Sequence, residues 1–153
     1  MTIEFRAAKA EDVDSMLQCR EMDPASPVGY PRAAYFAGEH HPQHALAPRI
    51  GYVALTEEGM AGYIAGHLTT RHRCDGEIQY LFVASAYRRA GIAKALVGLL
   101  GRWFVEQGAF KICVNVDLES PPAKPFYCAL GAAPLASDKP YWYVWPDARV
   151  LNA

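Results

Sequence analysis

The residues best placed to do chemistry form a tight turn between a strand and a long helix. The strand at residues 77–83 leads through Arg88-Arg89-Ala90-Gly91-Ile92-Ala93 into an amphipathic helix. A helix that begins after such a turn presents unpaired N–H groups and the positive end of its dipole to one point. Gly91 lets the backbone approach an anion closely, and Ala93 is small enough not to block it. The turn therefore predicts a pyrophosphate site, with two arginines at its rim.

Strands and helices around this turn must hold it in place. Residues 3–6 predict an opening strand, and apolar residues recur at helical spacing after it. Prolines punctuate residues 22–48, which allows at most a short helix near residues 32–37. Residues 50–56 and 60–69 predict a hairpin joined by Glu57-Glu58-Gly59.

The strand at residues 77–83 has apolar residues on both faces. Ile78, Tyr80 and Phe82 alternate with Gln79, Leu81 and Val83, which is typical of a central strand. The helix after the turn has one apolar face, made of Ile92, Leu96, Leu99, Leu100, Trp103 and Phe104, and is predicted to end at Gly108.

Three more elements are predicted after that helix. Residues 111–116 predict a strand. Ser120 as N-cap and Pro121 at the first helical position open a short helix that Gly131 closes. Residues 141–145 predict an aromatic closing strand.

Composition narrows the class of protein. A chain of 153 residues with 52% hydrophobic content predicts one domain over residues 1–153. The formal charge of -1, from 15 basic and 16 acidic side chains, provides no overall field that would attract nucleic acid or an anionic membrane. No export signal and no apolar run of about 20 residues is evident. The scattered cysteines favour reduced thiols, so we expect a cytoplasmic protein.

In this context the turn resembles the acyl-CoA motif of the GNAT superfamily of N-acetyltransferases, Arg/Gln-x-x-Gly-x-Gly/Ala after a strand. Arg88, Gly91 and Ala93 fill its fixed positions, and Phe126-Tyr127 with Leu130-Gly131 matches the family's Phe-Tyr-x-x-Leu-Gly signature. The resemblance follows the family's element order over nearly the whole chain. It implies an α/β fold whose mixed, mainly antiparallel twisted sheet is flanked by helices and splays between its fourth and fifth strands.

The resemblance also implies acetyl-CoA as cosubstrate, without a metal, and direct acetyl transfer to a primary amine of a small molecule or peptide in a ternary complex. Main-chain groups of the fourth strand would pair with the pantetheine arm, and amides of the turn would hold the pyrophosphate. Ser120 lies where many members have Asn. The residues implied to contact coenzyme A are Leu81, Phe82, Val83, Arg88, Arg89, Ala90, Gly91, Ile92, Ala93, Lys94, Ser120 and Tyr127.

Two catalytic roles follow from the same resemblance. Tyr127 is placed to protonate the thioester sulfur as general acid. Glu77 is placed where histone-acetylating members have the base, and a carboxylate there would accept the proton that the substrate ammonium must lose. Each residue also has a structural interpretation, Tyr127 as a core aromatic and Glu77 as a surface carboxylate.

Other residues leave alternatives open. His40, His41 and His44 lie in a proline-rich loop and favour a solvated loop over a metal site. The aromatic residues of 141–145 are typical of an acceptor pocket, a core, or the interface of a homodimer. An acyl-CoA-binding module without turnover and a pure interaction domain are the other function classes. The sequence does not identify the acceptor, which could be a polyamine, an amino acid, an antibiotic or a protein N-terminus. Loops carry specificity on a fixed scaffold, and the loops at residues 22–48 and 71–76 would shape the acceptor site.

Overall fold

A seven-stranded sheet runs through the computed structural model, which describes residues 2–21, 31–116 and 123–152. The strands are β1 (Glu4–Ala7), β2 (Ala45–Thr56), β3 (Gly59–Thr69), β4 (Gly76–Val83), β5 (Ile112–Asn115), β6 (Ala133–Ala136) and β7 (Lys139–Trp145). The helices are α1 (Val13–Glu21), α2 (Ala33–Phe36), α3 (Ile92–Glu106) and α4 (Ala123–Ala129), and short 3₁₀ turns connect several elements. No helix of the described chain is long and apolar enough to cross a membrane.

The connections explain the strand directions. β1 to β4 pair in sequence order and antiparallel, and the predicted hairpin is β2–β3, closed at Thr56 and Gly59. β4 is followed by α3, which crosses over the sheet, so β5 runs parallel to β4. The sheet order is β1-β2-β3-β4-β5-β7-β6. This mixed, mainly antiparallel sheet with flanking helices confirms the predicted fold class.

Each face of the sheet carries its own core. The α3-side core contains Leu96, Leu100 and Phe104 of α3 together with Trp145 of β7, all fully buried. The α1-side core contains Met16 of α1 and Tyr35 of α2. The predicted apolar face of α3 is confirmed at every position except Leu99, which is only partly buried and lines a surface cavity.

Two boundaries differ from the predictions. β2 begins at Ala45 rather than at residue 50, because the strand continues through Pro48 at a β-bulge between Leu46 and Arg49. β6 was not predicted. Its sequence Ala-Pro-Leu-Ala has no alternation of apolar and polar residues and no β-branched residue, and the strand pairs with β7 alone.

Candidate functional site

An opening in the sheet lies between β4 and β5. Their pairing covers Gly76 to Ile78 on β4 and Ile112 to Val114 on β5. Beyond Ile78, β4 continues to Val83 along β3, and Asn115 at the end of β5 pairs with β7 instead. Among the described residues, the side of β4 that faces β5 therefore has no strand partner from Gln79 to Val83. The predicted splay between the fourth and fifth strands is confirmed.

A β-bulge at Gln79 marks the start of the opening. Ala65 of β3 pairs with Tyr80 and Gly66 pairs with Ile78, so Gln79 is an extra residue in β4. The bulge reverses the alternation, because Ile78 packs in the α3-side core while Tyr80 and Phe82 pack in the α1-side core. The expectation that these three side chains share a face was therefore wrong.

The turn before α3 has the geometry of an anion site. Gly91 is the N-cap with φ 78°, and Arg89 also has a positive φ of 67°. A side chain built on Gly91 would meet no atom within 4 Å, so the space beside it is open. The first helical hydrogen bond runs from the Ala95 amide to the Gly91 carbonyl at 3.0 Å. The amides before Ala95 in the helix have no intrahelical acceptor and remain available to a ligand.

At the C-terminal end of β4 the side chains pack in the two cores. A ligand in the opening would therefore meet mainly the backbone of this strand. Phe82 and Val83 are buried in opposite cores, and Leu81 is partly buried against the α3-side core. Arg88 Nε donates to the Val83 carbonyl at 3.1 Å and so ties the turn to the strand. The rim of the turn is solvent-exposed at Arg88, Arg89, Ala90 and Lys94, whereas Ala93 is partly buried and Ile92 is buried in the core.

A surface cavity of about 450 Å³ touches the turn at Gly91 and Lys94 and follows α3 as far as Arg102. It lies outside the opening between β4 and β5. The site is therefore defined by the strand pairing and the helix N-terminus rather than by an enclosed cavity.

Tyr127 of α4 lies in the α3-side core and is 7% exposed. Its ring stands edge-on to Trp145, with ring centroids 5.5 Å apart. Burial raises the pKa of the Tyr127 hydroxyl, which therefore stays protonated at neutral pH. Gly131, with φ 99°, follows the helix as predicted. Ser120 and Pro121, the predicted start of this helix, lie outside the described residues.

Glu77 is buried rather than exposed on the surface. Its Oε1 accepts a hydrogen bond from Arg71 Nε at 2.9 Å, and His67 Nε2 lies 3.7 Å from the same oxygen. His67 is fully buried on β3, and its Nδ1 is 2.8 Å from the hydroxyl of Tyr35. A buried line of polar groups thus runs from α2 to Glu77 on the α1-side face of the sheet.

The two candidate catalytic side chains lie on opposite faces of the sheet. Glu77 faces the α1 side through His67 and Tyr35, and Tyr127 belongs to the core on the α3 side. An extended group that passes through the opening between β4 and β5 would reach both faces.

Sequence reasoning missed the residues that surround Glu77. The Arg71 guanidinium carbon lies 4.9 Å from the ring centroid of Trp142, and the His72 ring is 4.7 Å from the same indole. Residues 71–76 were predicted only as a polar connector. The basic run Arg71-His72-Arg73 and the lone His67 within an apolar strand are the signals that would have found this cluster.

The structure also locates most of the remaining residues singled out in the aromatic strand and among the histidines. Tyr143 and Trp145 are buried in the α3-side core. His41 Nδ1 is 2.7 Å from an Arg49 guanidinium nitrogen. Within residues 2–21, 31–116 and 123–152, no three His, Cys, Asp or Glu side chains are grouped so as to hold a metal ion. The cysteines Cys19, Cys74, Cys113 and Cys128 are free thiols.

Comparisons with known proteins agree with this arrangement. The model of the acetyltransferase (GNAT) family matches residues 15–132. No curated protein sequence matches the chain. Among solved structures, a putative GNAT acetyltransferase from Desulfovibrio desulfuricans superposes with a TM-score of 0.75 at 17% identity, covering 96% of this chain and 99% of that one.

Two further structures come from proteins with named substrates. Arabidopsis thaliana NAA60, in complex with acetyl-CoA, has a TM-score of 0.69 at 17% identity over 94% of this chain and 98% of its own. An aminoglycoside acetyltransferase from an uncultured soil metagenomic sample has a TM-score of 0.63 at 25% identity over 88% and 93%. The family match covers most of the chain. The chain therefore belongs to the GNAT family of acetyltransferases and is an acyltransferase.

Proposed function

We propose that this protein is an N-acetyltransferase that transfers acetyl from acetyl-CoA to a primary amine of a small molecule or peptide, by direct attack in a ternary complex. The observation that carries the proposal is the opening beyond Ile78, which leads along β4 to the free amides at the start of α3. The similar structures of proteins that bind acetyl-CoA or acetylate aminoglycosides support this choice of donor and acceptor.

The residues of this chain fit coenzyme A. Amides of Arg89 to Ala93, with Lys94 beside them, would hold the pyrophosphate, because the space next to Gly91 is open and the helix dipole favours an anion. Main-chain groups at Leu81, Phe82 and Val83 would pair with the pantetheine arm along the side of β4 that faces the opening.

The proposed chemistry divides between the two faces of the sheet. Bound acetyl-CoA supplies the thioester carbonyl carbon. Glu77 accepts the proton that the substrate ammonium must lose, directly or through water. The neutral amine nitrogen then bonds to the carbonyl carbon as the carbon–sulfur bond breaks, and Tyr127 donates a proton to the departing sulfur. The second proton that the nitrogen loses on becoming an amide balances the proton that Tyr127 gave up. The products are an amide and free coenzyme A.

Thermal unfolding with and without acetyl-CoA tests the donor site. A ligand that binds only the folded state raises the melting temperature by mass action, so we expect a shift that grows with acetyl-CoA concentration. Gly91→Val should abolish the shift, because the new side chain would fill the open space beside the amides.

Gly108→Val is the matched control. Gly108 follows the other end of α3, has φ 75°, and also faces open space, so the substitution strains the backbone to a similar degree about 25 Å away. The control should lose stability yet keep the acetyl-CoA shift. Absence of any shift in the wild-type protein at millimolar acetyl-CoA would contradict the proposed function.

A further inference from the structure

Arg71 and Lys139 are the cations near Glu77, the carboxylate buried on the α1-side face of the sheet. Glu77 is already paired with Arg71, and His72 lies against the same indole as Arg71. Burial lowers the pKa of His72, and the nearby charges of Lys139 and Arg71 lower it further. The site therefore offers little net negative charge to a polycation such as a polyamine or an aminoglycoside.

The Arg71–Glu77 pair has hydrogen-bonding capacity that its contacts within the described residues do not use. Arg71 Nε donates to Glu77, and its Nη2 donates to the Gln43 carbonyl at 2.9 Å. Among the described residues, the structure gives Arg71 Nη1 no acceptor and Glu77 Oε2 no donor. The side chains of Arg71 and Glu77 are 18% and 7% exposed, so one edge of the pair can be reached. Guanidinium N–H groups and a carboxylate oxygen with spare capacity thus belong to one hydrogen-bonded pair.

A ligand that complements this pair carries a negative group to bind Arg71 and a positive group to bind Glu77. A carboxylate would accept hydrogen bonds from Arg71, and an ammonium would donate to Glu77. Because Arg71 and Glu77 are in direct contact, the two ligand charges must also be close together. An α-amino acid has both groups on one carbon, whereas a simple amine offers no acceptor to Arg71 Nη1.

We propose that the acceptor is an α-amino acid, whose carboxylate binds Arg71 and whose amine is held by Glu77 next to Trp142. This inference rests on the proposed function and narrows its acceptor class. In the reaction the amine nitrogen bonds to the acetyl carbon and the carbon–sulfur bond breaks. One ammonium proton goes to Glu77, the second proton that the nitrogen loses balances the one that the departing sulfur takes up, and an N-acetylamino acid and coenzyme A are released.

Matched acceptors test the proposal with the intact protein. Coenzyme A thiol release is measured with the proteinogenic α-amino acids, and the best of them is compared with its carboxamide and its decarboxylated amine. Spermidine, kanamycin and a dipeptide complete the panel. We expect kcat/KM for the acid to exceed that for the amide and the amine by about tenfold or more, since a charge-assisted pair is lost in both.

Other outcomes would overturn the proposal in distinguishable ways. The amino acid proposal would be rejected by equal or faster turnover of the amide, the decarboxylated amine, a polycation or the dipeptide. The proposed acetyltransferase function would not be contradicted by that result. Calorimetry that detects no amino acid binding to the protein saturated with coenzyme A would also reject the amino acid proposal. Failure to bind acetyl-CoA at all would instead reject the proposed function itself.

Variants of Arg71 separate recognition from a structural role. Arg71→Gln should bring the ratio of acid to decarboxylated-amine turnover close to one, and Arg71→Lys should restore part of the preference by restoring the charge. Arg73→Gln is the control, because Arg73 is an exposed neighbour on the same connector. If Arg71→Gln lowers the rates for acid and amine by the same factor, Arg71 is structural and the proposal is wrong.

Discussion

Glu77 is the residue on which the proposed chemistry depends most. It is 5% exposed, and His67 and Arg71 both face it. Buried carboxylates are retained when they are paired and hydrogen-bonded, and the contact with Arg71 meets that requirement. His67 Nε2 lies 3.7 Å from Glu77 Oε1 and has no hydrogen-bond partner among the described residues.

Glu77→Gln should lower turnover by about 100-fold or more, and the loss should be largest at low pH. There the substrate ammonium gives up its proton least readily, so a base contributes most. The measurement is the pH–rate profile of thiol release, with acetyl-CoA affinity from the thermal shift as the control that stays unchanged. A profile identical to that of the wild type would assign the base elsewhere.

Tyr127→Phe should cut the catalytic rate by roughly one to three orders of magnitude while acetyl-CoA binding stays nearly intact. The substitution removes one hydroxyl and keeps the ring that packs on Trp145. Tyr143→Phe is the matched control, because Tyr143 is buried in the same core and has no proposed catalytic role. Loss of stability together with rate would make the Tyr127 hydroxyl a structural donor, and an unchanged rate would make solvent the proton source.

At the scale of elements, the start of β4 is held by close packing under α3. A side chain built on Gly76 would come within 2.5 Å of the Phe104 ring and 2.9 Å of Ile112 Cδ1. Gly76 also lies where β4 and β5 still pair, just before they separate. The absence of a side chain at this position therefore lets α3 sit close to the point where the opening begins.

Gly76→Ala should destabilise the protein by about 1–3 kcal/mol through overpacking. Phe104→Leu alone should also destabilise it, because it leaves space in the core. The double variant should be less destabilised than the sum, since the smaller Leu relieves the clash. Chemical denaturation of all four proteins measures this coupling. Strict additivity would show that the backbone moves to accommodate Ala.

The sequence predicted elements with strong periodicity and missed irregular ones. The apolar face of α3 and the turn before it could be predicted, because helical spacing and Gly91 are local signals. The bulge at Gln79 could not be predicted. Both faces of this strand are mostly apolar, so a shift of one residue does not change the visible pattern of apolar residues. β6 could not be predicted either, because its pairing with β7 comes from tertiary context rather than from its own residues.

For the molecule as a whole, the proposed donor half of the site was easier to predict than the proposed acceptor half. The donor half consists of β4, the turn and α3, which are consecutive in the sequence. The acceptor half joins Tyr35, His67, Arg71 and Trp142 from different elements. Residue types alone give no sign of which distant side chains meet, so this cluster became visible only in the fold.

The contact of Arg71 and His72 with Trp142 spans the two parts of the sheet that separate at the opening. Arg71 precedes β4, and Trp142 belongs to β7 beyond β5. In the proposed complex, acetyl-CoA fills the opening and the acceptor rests on this bridge, so both ligands lie where β4 and β5 separate. By thermodynamic reciprocity, any free energy by which one ligand strengthens the binding of the other is returned in equal measure. Such coupling would raise the affinity for each ligand by the same factor, whichever of the two binds first.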